Sequence, residues 1–445
     1  MLFSVRHFGK SMKKISVHYQ HIFSAILLLS VSRAFPLDYT KAGSSLADAF
    51  YNTAGAHEGT TSFRSLLIPS GGRAESLGSA YTALSDDISF IDYNPAASAL
   101  LNETEAALFH NAWIADSAKE TLAASTRFGN LGVGGKLSCF YVPFTEYDRF
   151  GERAASNYYS ETALTLNTAY NFFAGYTFKG LAVGGNFKTA WRAVPDYADD
   201  NSGAIVSNSG LAQSALAFMA DAGMMLQFNA AKFYDSPDGN LKIGLSFTNL
   251  GAAITGFSKK VKLDDPLPSG ASVGISYKPI NMLLLSFEYR QPVNLFTITE
   301  LQTFTVGGGT EVKITKFMSL LAGFQLKGGN PRISLGSEFE LLKIRMNVNY
   351  TLDLASSINP VNRLSFSAKI KLGDKGRGDK RRQVEALYAE GLSYYAARDF
   401  EKAVAVWEDV LALDKYFDPA RDGIKSIQRY YAMLEGLEGP SKDWK

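Results

Sequence analysis

Side chains capable of covalent or metal chemistry are few in this sequence, and they are scattered. Of five histidines, His7, His18, His21 and His57 precede the region read below as strands, which leaves His110 alone within it. A hydrolase working at a membrane needs a nucleophile beside an activating base. His110 follows Phe109 on a strand face with no recognisable partner, so no enzymatic activity is expected. Cys139 is the single cysteine, cannot close an internal disulfide and is read as a structural thiol. Gly307, Gly308 and Gly309 lack the lysine and helix that follow a phosphate-cradling loop. No cofactor or metal site is expected. The formal net charge of +2 offers no electrostatic case for nucleic acid.

The chemistry that remains is non-covalent. Phe140, Val142, Phe173, Met219, Met225 and Leu321 interrupt strand faces that are otherwise polar. Adaptable methionine and aromatic surface in such places suits a hydrophobic ligand. The same residues would serve equally to pack against a segment lying inside a barrel. Lys136, Lys188 and Arg192 share those faces, where they would hold a ligand carboxylate or pair with wall acids.

The chain that carries these residues shows period-2 alternation over long stretches. Ile344, Met346, Val348, Tyr350 and Leu352 alternate with Arg345, Asn347, Asn349, Thr351 and Asp353. Leu364, Phe366, Ala368, Ile370 and Leu372 alternate with Ser365, Ser367, Lys369 and Lys371. Between Glu103 and Leu372 the pattern predicts about fourteen antiparallel strands. Most reach the roughly 9 to 11 residues that a tilted membrane strand needs. A soluble β-sandwich alternates too, but its strands average ~5 to 6 residues. Connections alternate between short turns and longer loops, such as 143–159 and 195–210, as in outer-membrane barrels. That parity puts both mature termini in the periplasm.

The expected organisation has five parts. Residues 1–34 read as a signal peptide: Lys13 and Lys14, an apolar run over 22–31, then small residues at Ser32 and Ala34. The run is about half the ~20 residues a spanning helix requires, and Met12 is an alternative start. Residues 35–102 are expected to be a hatch inside the barrel of 103–372. Within the hatch, Ala80, Ala83 and Leu84 are expected to form a small helical face, and Asn94 with Pro95 a turn before a helix-like stretch. Residues 373–382 read as a charged, flexible linker. Residues 383–445 read as a periplasmic helical module, in which Leu387, Gly391, Tyr394, Phe400, Ala403 and Trp407 have the spacing of a tetratricopeptide repeat.

Gly72, Arg73 and Ala74, then Leu77 and Gly78, Asp86 and Asp87, and finally Asn94, Pro95 and Ala96 together resemble the N-terminal region of the FadL-like outer-membrane family. That family includes long-chain fatty-acid transporters and the PorV-type proteins of a Bacteroidetes secretion system. Within it the chain is most similar to a group of spirochaetal paralogues of the treponemal type. The resemblance covers about residues 65–372. It implies a 14-stranded barrel occluded by an N-terminal hatch and passive passage of hydrophobic molecules, fatty acids first among them, across the bacterial outer membrane. Its lipid and the hydrophobic ligand would be the barrel's partners. The alternative implication is a PorV-like shuttle or scaffold that recruits a periplasmic protein through the repeat.

Overall fold

A strand with one apolar and one polar face can escape exposed edges by closing into a barrel, with one face turned outward throughout. The computed structural model describes residues 61–438, apart from 115, 149, 195–213, 237, 256–265, 296–302, 328–329 and 355–361, and its sheet is closed. The signal peptide expected over 1–34 and the first part of the expected hatch lie outside the described residues.

Fourteen antiparallel strands follow one another around the barrel in chain order. They are β1 (Glu105–Ala112), β2 (Ala118–Phe128), β3 (Leu131–Tyr147), β4 (Arg153–Phe172), β5 (Leu181–Ala193), β6 (Ala215–Phe228) and β7 (Leu241–Thr255). The second half comprises β8 (Gly270–Ile280), β9 (Leu283–Pro292), β10 (Thr305–Lys313), β11 (Met318–Lys327), β12 (Asn330–Leu341), β13 (Ile344–Asp353) and β14 (Arg363–Lys371). Closure is made by β14 on β1, with Glu105 opposite Lys371 and Ala112 opposite Leu364. The all-β barrel expected from alternation is the fold that forms.

The wall is inverted relative to a water-soluble protein. Outward positions are apolar and exposed, as at Leu122, Leu166, Phe187, Phe287 and Leu364. Inward positions are polar and buried, as at Asn347, Ser365, Ser367 and Lys369, each 0% exposed. Water does not favour that arrangement; a hydrocarbon surround does. No helix among the described residues is long and apolar enough to cross a membrane.

One expected loop is largely strand. Residues 143–159 continue the β3–β4 hairpin, with Pro143 paired to Tyr158 and Glu146 to Ala155 before the register shifts. Proline reads as a strand breaker because it lacks an N–H. Here the pairing with β4 runs through it.

Residues 61–101 lie inside the barrel. They form a 3-10 turn (Arg64–Leu67), one helical turn (Arg73–Ser76) and two further 3-10 turns (Ile88–Asp92 and Pro95–Leu100). Asp87 and Asn94 cap the last two, each accepting a backbone N–H two residues on, from Ser89 and Ala96. The small helical face expected at Ala80, Ala83 and Leu84 is absent. That stretch is an irregular turn, because the N–H groups of Tyr81 and Thr82 donate to the wall carboxylate of Glu288, at 2.9 and 2.8 Å, rather than to a helical ladder.

After β14 come α1 (Arg377–Ala396), α2 (Phe400–Leu413) and α3 (Asp418–Glu438). The flexible linker expected over 373–382 is therefore mostly helix. Asp374 accepts the N–H groups of Gly376 and Gly378, which gives the first turn its cap. Arg377 also ties that turn to the barrel by donating to the carbonyls of Arg127 and Leu101.

Candidate functional site in the barrel lumen

The lumen is filled from its middle outward by the 61–101 segment, and charge anchors that segment to the wall. Arg73, 3% exposed, donates to Glu311 of β10 through Nε and Nη2 at 2.9 and 2.6 Å. Its Nη1 reaches the Tyr81 hydroxyl at 2.6 Å and Asp87 at 3.4 Å. Asp87 in turn takes the ammonium of Lys369 (β14) at 2.5 Å and the Tyr81 hydroxyl at 2.7 Å. Asp86 pairs with Lys242 of β7 at 2.9 Å, Asp92 with Lys136 of β3, and Glu75 with Arg363 of β14 at 3.4 Å. Burial pushes the Asp87 carboxyl up, but Lys369, Arg73 and Arg345 outweigh it and hold the group well below the usual carboxylate range.

Backbone contact completes the docking. Inward glycines stand where the segment touches the wall: Gly132, Gly184, Gly223, Gly244, Gly309, Gly323 and Gly336. A Cβ at Gly323 would sit 2.1 Å from the Gly78 nitrogen, and one at Gly244 would sit 2.1 Å from the Thr82 oxygen. These glycines are in register around the wall, Gly184 opposite Gly223 and Gly309 opposite Gly323. Asn94 fastens the segment on the β6 side, donating to the carbonyls of Thr82 and Met224 at 2.8 and 3.0 Å. Gly72, Ala74, Gly78, Pro95 and Ala96 are all buried within this contact.

The apolar residues singled out from sequence fall into different places. Met225 and Leu321 are buried in one core with Leu77, Tyr81, Leu84 and Leu101 of the segment. Met219 packs with Phe63, Ala163 and Leu267. Phe140 and Val142 are half-buried on β3. Phe173 does not face the lumen as its place after β4 predicts: the strand ends at Phe172, and Phe173 turns with φ 56° to stand 78% exposed beside it. The chain reverses there, so the strand's alternation no longer sets its direction. None of the six lines either cavity described next. Lys188 is bound to Asp221 at 2.6 Å, where a register shift in the β6–β7 pairing lets that carboxylate also accept the Asn249 N–H at 2.7 Å. The Arg192 guanidinium lies 5.5 Å from the centre of the Phe63 ring. His110 pairs with Glu120 across β1 and β2 at 2.7 Å, both half-exposed.

Two cavities flank the filled zone. One of about 330 Å³ faces the end where β1 begins and β14 ends, lined by Asp86, Glu105, Lys242, Glu311, Arg345 and Lys371 among others. One of about 150 Å³ faces the opposite end, lined by Leu66, Leu67, Ile68, Trp113, Arg290, Lys327 and Arg363 among others. They share no lining residue, and the fully buried Leu77 and Tyr81 lie between. Sequence reasoning missed both the glycine contacts and this second cavity. The signal for the glycines was available as glycine recurring on the inward parity of successive strands.

Residues 39–375 match the uncharacterised protein family UPF0164. The chain belongs to this family. A UPF0164 protein of Treponema pallidum (strain Nichols) is 30% identical over 392 residues, 86% of each chain. A second from the same organism is 27% identical over 371 residues, 81% of this chain and 74% of its own. Among solved structures, a mutant of the TodX monoaromatic hydrocarbon channel has a TM-score of 0.45 at 11% identity, covering 68% of this chain and 98% of its own. The outer membrane protein Omp33 of Acinetobacter baumannii has a TM-score of 0.33 at 9% identity, covering 61% and 98%. The UPF0164 match takes in the whole barrel and its luminal segment but stops before α1.

In the C-terminal helices, Ala403 and Trp407 are buried with Leu387, Tyr394 and Phe400 against them. Gly391 faces the Trp407 indole, where a Cβ would stand 2.3 Å from Nε1. The six residues named from repeat spacing thus meet in one small core. Phe417 joins it to the barrel, its ring 4.8 Å from that of Tyr176 in the β4–β5 connection.

Proposed function

We propose that this UPF0164 protein sits in a bacterial outer membrane, the start of β1 and the end of β14 on the periplasmic side, and passes hydrophobic small molecules inward without an open pore. The observation that carries the reading is a closed barrel, apolar outside and polar inside, whose lumen holds two separate cavities divided by a buried segment. Long-chain fatty acids are the leading substrate class, consistent with the FadL-like motif, and residues 61–101 act as the hatch.

The hatch has two unequal parts. Residues 71–100 are locked by the Arg73 and Asp87 pairs and by the wall glycines. Among the described residues, 62–68 form no ion pair with the wall: Ser62 donates through its N–H and hydroxyl to the Pro266 carbonyl, Ser65 N–H to Glu161 at 3.3 Å, and Lys119 to the carbonyls of Ser65 and Ile68. Displacing them would draw Phe63 off Ala163, Met219 and Leu267 and open these, with Phe140 and Val142 of β3, as apolar surface for a ligand. A paired disulfide experiment tests this in a Cys139→Ser background. Joining positions 65 and 161 should abolish fatty-acid permeation into proteoliposomes, restored by reductant. Joining 76 and 347, whose side chains already touch at 3.3 Å, should leave it intact. Equal permeation in both would remove this function for residues 62–68.

The C-terminal helices support a second role as a tetratricopeptide-like docking module for a periplasmic protein. Its observation is the exposed apolar set Leu392, Tyr395, Tyr431 and Met433 on the module's surface. Deleting residues 377–445 should then leave permeation unchanged and abolish co-purification of that protein.

A further inference from the structure

The cavity at the barrel end remote from the start of β1 and the end of β14 is lined by cations that, among the described residues, outnumber the acids available to them. Arg290 on β9 and Lys327 on β11 both stand opposite Thr305 of β10, so they share one row of the wall. Arg332 on β12 and Arg363 on β14 continue it, and Arg64 of the luminal segment faces it. Arg332 has Asp353 at 3.0 Å and Arg363 has Glu75 at 3.4 Å. Among the described residues, Arg64, Arg290 and Lys327 have no carboxylate at ion-pair distance, and the Arg290 side chain donates only to the Thr248 hydroxyl, at 3.3 Å.

The acids that line the cavity are already committed. Asp92 accepts from Lys136 and from Ser70, and Glu288 from two backbone N–H groups. A rim of solvated lysines would need no counter-ion, but this is not such a rim. Arg363 is 4% exposed and its buried Nε has no hydrogen-bond partner. Like charges gathered in a partly dry site repel far more than in water, and an anion relieves them. Beside the cations, Leu66, Leu67 and Ile68 supply apolar wall, with the Trp113 ring 4.2 Å from the Arg363 guanidinium carbon.

We propose that this cavity captures the oxyanion head of an amphipathic molecule, a carboxylate or phosphate, and lays the first carbons against Leu66 to Ile68 and Trp113. At about 150 Å³ it holds a head group and a few methylenes, not a whole long chain. The proposal rests on the reading of the barrel as a passage for hydrophobic molecules and adds that those it admits first bind by their charge. It also places the charged contact on β9, β11, β12 and β14, across the lumen from Lys188 and Arg192.

The test is equilibrium binding to the full chain in a non-ionic detergent, with octanoate, octyl phosphate, octanol and inorganic phosphate as probes. Octanoate and octyl phosphate should compete for one saturable site, and octanol should not displace them. Arg290→Gln with Lys327→Gln should weaken octanoate binding at least about tenfold, as expected for two lost charge-assisted contacts, with unchanged gel mobility of the folded barrel. Octanol binding as tightly as octanoate, or the double variant binding like the parent, would overturn the proposal. Inorganic phosphate displacing octanoate at matching concentration would overturn the amphipathic ligand in favour of a free-anion site. Permeation of a neutral hydrophobic dye, measured alongside, reports separately on the passage: its absence with octanoate binding intact would sink the passage and leave the site.

Discussion

Arg73 is the residue on which the luminal segment turns. It is buried among Glu311, Asp87 and Tyr81, so removing it strands two carboxylates rather than deleting one contact. Arg73→Met should cost about 3–5 kcal/mol, the range for breaking a buried ion pair. Denaturant unfolding in detergent will measure that cost, and Glu311→Gln on the same chain should recover part of it. The carboxyls of Asp86 and Asp87 are held low by Lys242, Lys369 and Arg73 against the upward push of burial. A depressed group contributes stability that is present above its unfolded pKa and disappears as pH falls through the folded one. Protection of residues 73–100 against hydrogen exchange should therefore persist as pH drops through about 4, where a free Asp takes its proton, and fail only in stronger acid. At this scale the sequence was partly legible. Arg73, Asp86 and Asp87 stand out in the sequence, because a charge among small and apolar residues must be paired. Which wall residue each would meet was not legible, since Glu311 and Lys369 lie more than two hundred positions away and depend on barrel closure.

At the scale of elements, the strands were the most legible feature, because alternation is local and each face has a single environment over ten residues or more. The β3–β4 hairpin was underestimated at Pro143, where a local rule about proline lost to pairing that extends to Tyr147. The glycine contacts were invisible as contacts: an inward glycine says only that something approaches, not what. They yield a prediction nonetheless. Gly323→Val should force the Gly78 backbone off β11 and cost about 1–3 kcal/mol, the usual penalty of overpacking. Gly308→Val, where the nearest atom to a Cβ is 3.8 Å away, should cost much less. Heat-dependent gel mobility of the two variants will separate them. In the helical module, Gly391→Leu should drive Trp407 from its pocket and open α1 and α2 to protease while the barrel stays folded; limited proteolysis with mass analysis of the fragments reads this directly.

For the whole molecule, closure of fourteen strands and the filling of their lumen are two halves of one design. The wall turns polar groups inward, and the segment satisfies them with its own charges and backbone, which leaves little water-filled path through the centre. Membership of UPF0164 spans the barrel and segment together, in keeping with that mutual dependence. Conductance and uptake measured on the same reconstituted protein test the central claim most directly. Planar bilayers should show no steady ionic current, while liposomes carrying the protein should take up labelled fatty acid faster than protein-free liposomes. A stable ion-conducting pore, or uptake no faster than through lipid alone, would contradict the account.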